Sequence, residues 1–82
     1  MKKNASELLA AVDNAAEELR RAKAWAMSLY DTVNGSEQGR KWRQECPREY
    51  AVWQYYVRQA VAEREQALRA ARIALEWGEV TA

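Results

Sequence analysis

Apolar residues recur along this chain in two helical stripes separated by an interval with no period. Starting at Ala5, the positions Leu8, Val12, Ala15, Leu19, Ala22, Ala26, Leu29 and Val33 follow at alternating spacings of three and four, a heptad seam sustained for about four repeats. Asn4 offers an N-cap with Glu7 three positions on, and Asn34-Gly35 supplies the left-handed-tolerant ending common just past a helix. The pattern predicts a first helix over about 5–34. Its small middle residues, Ala15, Ala22 and Ala26, would let a partner helix approach closely. Further on, Tyr50, Trp53, Val57, Ala60, Val61, Ala67, Leu68, Ala71, Ala74 and Leu75 gather on one side of a helical wheel. Pro47 suits the first position of that helix, Glu49 its first turn and Gly78 its stop, which predicts a second helix over about 48–77. In the connector, 35–47, Ser36 can cap a turn through Glu37 and Gln38, but Gly39 weakens it, leaving room for one turn of helix. Two helices of nearly thirty residues, each about 40 Å long, joined by so short a connector, predict one all-α domain over 1–82, an antiparallel helical hairpin.

Arg64 interrupts the second stripe near its centre. Burying an unpaired charge is costly, so the position asks for a partner or an exit to water. One reading has the stem lying on the stripe with the guanidinium reaching water or a nearby carboxylate. The other is a buried ion pair, or a contact to another molecule. If the hairpin folds about residue 41, positions whose numbers sum to roughly 82 face one another, and Glu18 then stands opposite Arg64, with Glu17 and Asp13 less well placed. An Arg64–Glu18 pair would fix the register of a seam otherwise made of interchangeable apolar residues.

Both helices carry apolar residues beyond their seams. Val52, Tyr55, Ala62, Ala70, Ile73 and Trp77 lie on the flank or back of the second, while Leu9, Ala16 and Met27 occupy one flank of the first and Trp25 the other. Several such residues aligned along a helix indicate a contact surface. The expectation is a homodimer in which two hairpins form a four-helix bundle, with Trp25, Tyr55, Tyr56, Ile73 and Trp77 as interface residues. The competing arrangement is a monomer whose connector covers one flank through Trp42.

Composition narrows the chemistry. Eighty-two residues, 49% hydrophobic and 30% charged, describe a globular chain with a small core. Thirteen basic residues against twelve acidic ones leave a formal charge of +1 and no global field toward nucleic acid or an anionic membrane. Histidine is absent, which removes the commonest general base and the His-containing metal sites. Cys46 is the sole cysteine, so no disulfide forms within the chain, no base of the usual kind activates the thiol, and a cytoplasmic location is expected. Glu17, Glu18, Glu63 and Glu65 read as solvated faces, since helical-bundle metal sites pair Glu with His. Three scattered glycines make no phosphate-cradling loop. Glu7 and Asp13 interrupt what would be the apolar part of a secretory leader after Met1-Lys2-Lys3, and no uncharged run is long enough for a membrane span. Neither a cofactor nor a small-molecule substrate is expected.

Arg40-Lys41-Trp42-Arg43, followed by Arg48, interleaves basic residues with an aromatic, a combination suited to phosphate contact and base stacking. Glu37 and Glu45 dilute it, and the alternative is an exposed connector with Trp42 covering the end of the hairpin. The functional expectation is a small non-catalytic adaptor, regulator or inhibitor of a protein partner, a class common among phage and mobile-element accessory proteins. Nucleic-acid binding through the connector and a structural subunit of a larger helical assembly are the alternatives.

Overall fold

The structure is a computed structural model that describes residues 4–81, with side chains through residue 78; Met1, Lys2 and Lys3, which bear on the leader, lie outside the described residues. It is all-α: α1 spans Ala5–Gly35, α2 Glu37–Glu45 and α3 Pro47–Thr81. At one end Tyr30 of α1 packs on Trp53 of α3, and at the other Leu8 of α1 meets Gly78 of α3, so the two long helices lie side by side in opposite directions. The molecule measures 57 × 19 × 16 Å.

α1 begins where Asn4 leaves the extended region and its side chain accepts a hydrogen bond from the Glu7 N–H at 2.8 Å, which satisfies one of the orphan donors of the first turn. Its far end departs from expectation. Gly35 is helical, and no residue among those described has a positive φ. The break is instead made by Ser36 in extended conformation. Its N–H donates to the Thr32 carbonyl at 3.1 Å and its Oγ accepts from the Gly39 N–H at 2.9 Å. One residue thus ends α1 and caps α2, and no left-handed glycine is needed.

The connector is likewise more ordered than its sequence suggests. α2 has nine residues, not a single turn. Gly39 lowers helix propensity locally without breaking α2; a Cβ there would lie 2.6 Å from Val33 Cα and 2.7 Å from Ser36 Oγ, and closer still to the Val33 carbonyl oxygen. Glycine is what allows the first turn of α2 to fold back onto the last turn of α1. α2 stops at Cys46 (φ −126°, ψ 61°), whose N–H donates to the Trp42 carbonyl at 2.7 Å. The ring of Pro47 disfavours helical backbone at the preceding residue, and Pro47 itself opens α3.

α3 does not stop at Gly78 but runs through it to Thr81. Leu8 Cδ1 sits where a Cβ of residue 78 would be, so this glycine is a seat for a neighbouring side chain. Between the ends the seam is thin. Among the described residues only Ala22, Val57 and Leu68 are buried, at 7%, 3% and 7% exposure. Most other seam positions, among them Leu19, Leu29, Ala60, Val61, Ala71 and Leu75, are half-buried. Ala5, Ala67 and Ala74 are exposed despite their places in the pattern, because one neighbouring helix covers only a narrow strip of the apolar arc.

The ring contacts between helices converge on Trp53. Its ring lies 4.9 Å from Tyr30 and 6.0 Å from Trp42, both edge-on, and stacks on Tyr50 at 5.7 Å. Trp42 also meets Tyr50 edge-on at 5.8 Å. Such pairs contribute about 0.5–1.5 kcal/mol each beyond the area they bury, and together they join all three helices. The Tyr30 hydroxyl is buried there without a hydrogen-bond partner among the described residues.

Three consequences are measurable by urea unfolding. Gly39→Ala gains about 1 kcal/mol of helix propensity but must displace backbone, which costs about 1–3 kcal/mol, so the variant is expected to be less stable. Gly35→Ala, with nothing within 4 Å of the added Cβ, is expected to stabilise by about 0.5 kcal/mol. Tyr30→Phe removes an unmet polar group while keeping the ring, and is expected to match or exceed the parent by about 1 kcal/mol.

Candidate interaction surface

The expected Arg64–Glu18 ion pair is not formed. Arg64 is exposed, and its guanidinium donates to the carbonyl of Ala60, one turn back on its own helix, at 2.9 Å. No charged residue among those described is buried. Arg64 and Glu18 nevertheless line the same groove between α1 and α3, about 480 Å³, together with Arg21, Ala22, Trp25 and Ala60. The small Ala22 and Ala60 leave a gap at the centre of the seam. A long stem starting at position 64 leaves through that gap and keeps its charge in water.

The ion pairs among the described residues lie within α1. Glu17 accepts from Arg20 and, at 3.1 Å, from Arg21. The hydrogen bond from Arg20, aided by the charges of both arginines, holds the Glu17 carboxyl below its ordinary range, and the same bond raises Arg20. All three side chains are largely solvated, so the arrangement supports the helix locally and binds α1 to nothing.

The basic run of α2 is divided by the structure. Trp42 is half-buried in the aromatic cluster, and its ring edges are already engaged. Arg43 donates to Asn34 Oδ1 at 2.8 Å and lies over the Tyr50 ring at 5.0 Å, tying α2 to the end of α1 and the start of α3. Arg40, Lys41 and Arg48 are exposed. The five residues do not form one continuous basic surface with an open aromatic.

The large apolar residues set apart from the seams are on the surface. Leu9, Trp25, Met27, Val52, Tyr55, Tyr56, Ile73 and Trp77 are between 47% and 67% exposed. Tyr55 and Tyr56 meet edge-on at 5.7 Å. Beside them, Arg48, Glu49, Val52, Trp53 and Tyr56 bound a shallow hollow of about 450 Å³ at the start of α3, a feature that apolar periodicity could not reveal because it arises from large side chains on successive turns standing around a gap. Among the described residues no three His, Cys, Asp or Glu side chains cluster as metal ligands, and no helix is long and apolar enough to cross a membrane.

The chain matches no protein-family model, no curated protein and no solved structure. Geometry is therefore the basis for any functional reading.

With Arg64 bonded to its own helix and Glu18 solvated, Arg64→Met and Glu18→Gln are each expected to shift the unfolding free energy by no more than about 0.5 kcal/mol. A loss of 3 kcal/mol or more, the scale of a broken buried pair, would show that the two charges are coupled.

Proposed function

We propose that this chain is a small non-catalytic module that binds a protein partner and acts as a homodimer. Its antiparallel hairpin pairs with that of a second copy, bringing four long helices into one bundle. The observation that carries the reading is an imbalance: among the described residues three small or medium residues are buried, while eight large apolar side chains are about half exposed or more. A stable soluble chain seldom leaves so much apolar surface aligned on its helices without covering it by association. Trp25, beside the groove shared with Arg21 and Arg64, combines an aromatic with arginines, the residue types that dominate binding hot spots. Tyr55, Tyr56, Ile73 and Trp77 supply the remaining contact area. The scarcity of donor clusters and the absence of histidine from the sequence support a binding role over a catalytic one.

Nucleic-acid binding is the weaker reading because Arg43 and Trp42, the centre of the basic run, are engaged within the fold. A structural subunit of a larger assembly would reveal itself by growth beyond the dimer.

Light scattering after size exclusion is expected to give twice the chain mass. Capture of a protein from the source cell is expected to weaken tenfold or more in Trp25→Ala and to change little between low and moderate salt. Steep salt dependence, with loss on Arg40→Ala combined with Arg48→Ala, would instead establish nucleic-acid binding.

A further inference from the structure

We infer that a second copy of this chain docks on the outer face of α3, with the two α3 helices antiparallel. This rests on the homodimer reading above and adds the face, the direction and the register. On the wheel, the side of α3 opposite the buried Val57 and Leu68 is a stripe from Val52 to Trp77, about 37 Å long at 1.5 Å per residue. Every position along it is uncharged, in a chain of which 30% is charged, and Val52, Tyr55, Ile73 and Trp77 at its ends are among the most exposed large residues.

The stripe reads nearly the same in both directions. Laid antiparallel on a copy of itself, it sets Val52 against Trp77, Tyr55 against Ile73, Gln59 against Ala70 and Ala62 against Gln66. Each layer then joins a larger side chain to a smaller one, and the helix axes stay evenly spaced. Parallel pairing would stack Trp77 on Trp77 and Ala62 on Ala62, forcing the helices apart at one end and leaving voids in the middle, which is costly packing.

The shallow hollow at the start of α3 adjoins one end of the stripe. Arg48, Glu49, Val52, Trp53 and Tyr56 bound it; Val52 belongs to the stripe while Glu49, Trp53 and Tyr56 lie on the flank beside it, so the hollow opens at the stripe's edge and can take a large side chain that reaches past residue 52. In the antiparallel register that side chain is Trp77 of the second copy, with Arg48 beside its ring for a cation–π contact. The symmetry axis makes two such insertions per dimer.

The area suffices. Fully buried aromatics each cover about 150–250 Å², so the exposed parts of Val52, Tyr55, Tyr56, Ile73 and Trp77 amount to roughly 500–600 Å² per copy. Alanines and glutamines of the stripe bring this to the roughly 600–800 Å² per partner of a stable interface. The homodimer so formed is an opened-out version of the four-helix arrangement, a layer with the two α3 helices in the centre and each α1 outside. It leaves the Trp25 groove open for a protein partner.

Disulfide trapping tests this in a Cys46→Ser background. Chains carrying Gln59→Cys mixed with chains carrying Ala70→Cys are expected to cross-link, whereas Gln59→Cys alone is not. Trp77→Ala is expected to weaken dimerisation at least tenfold by analytical ultracentrifugation with its helical circular dichroism intact, while Leu9→Ala with Met27→Ala leaves it unchanged. Cross-linking of Gln59→Cys to itself would overturn the antiparallel direction. A dimer with neither cross-link, or one sensitive to Met27 and Leu9 but not to Trp77, would overturn the face and leave the homodimer reading standing. A monomer throughout would overturn both.

Discussion

The cluster around Trp53 is the contact on which the rest of this structure depends. Two helices of this length with a seam of Ala, Val and Leu could slide past one another by a turn at small cost, since each layer resembles the next. An indole held between Tyr30 of α1, Trp42 of α2 and Tyr50 of its own helix has no equivalent position one turn away. Arg43 reinforces it by bridging Asn34 and Tyr50. Register is therefore set at the end where the chain turns. It is not set by a charge in the middle of the seam.

The same arrangement explains why the outside of the molecule is apolar. Small residues at the centre of α1 allow close approach but contribute little area, and α2 covers only the turning end. The interior that results could stabilise a chain of this size only modestly. Large side chains that a wider core would have absorbed remain on the surface, above all on the side of α3 turned away from α1. Surface chemistry and thin core are two aspects of one geometric fact: a helix pair can bury one strip of each helix and no more.

How much of this could be read from the sequence varied with the physical origin of each feature. The long helices were legible because nine apolar positions at spacings of three and four leave little choice of period, and the exposed residues followed by subtraction from the seam. The connector was not, because Gly39 lowers helix propensity locally while its value lies in what it lets touch: the backbone of Val33. Gly78 misled in the same way. A glycine past the last periodic residue resembles a stop, yet here it accommodates Leu8 from a residue seventy positions distant. Glycines chosen for close approach and glycines chosen for a left-handed turn look identical in one dimension.

Arg64 shows where pattern reasoning about a site reaches its limit. Its wheel position is central, and simple folding of the chain brought Glu18 to the same groove, so the inference of proximity was sound. Of the two readings the sequence allowed, the exit to water is the one realised; the buried pair treated the seam as uniformly filled. At this level the facing residues are alanines, and a side chain as long as arginine needs no partner when a gap of that size leads to water. Its guanidinium bonds to the Ala60 carbonyl, and Arg64 lines the groove that Trp25 also lines. A charge that would have been a structural cost in a filled core is, in this thin one, a solvated group sharing a groove with an exposed indole, and not a register lock.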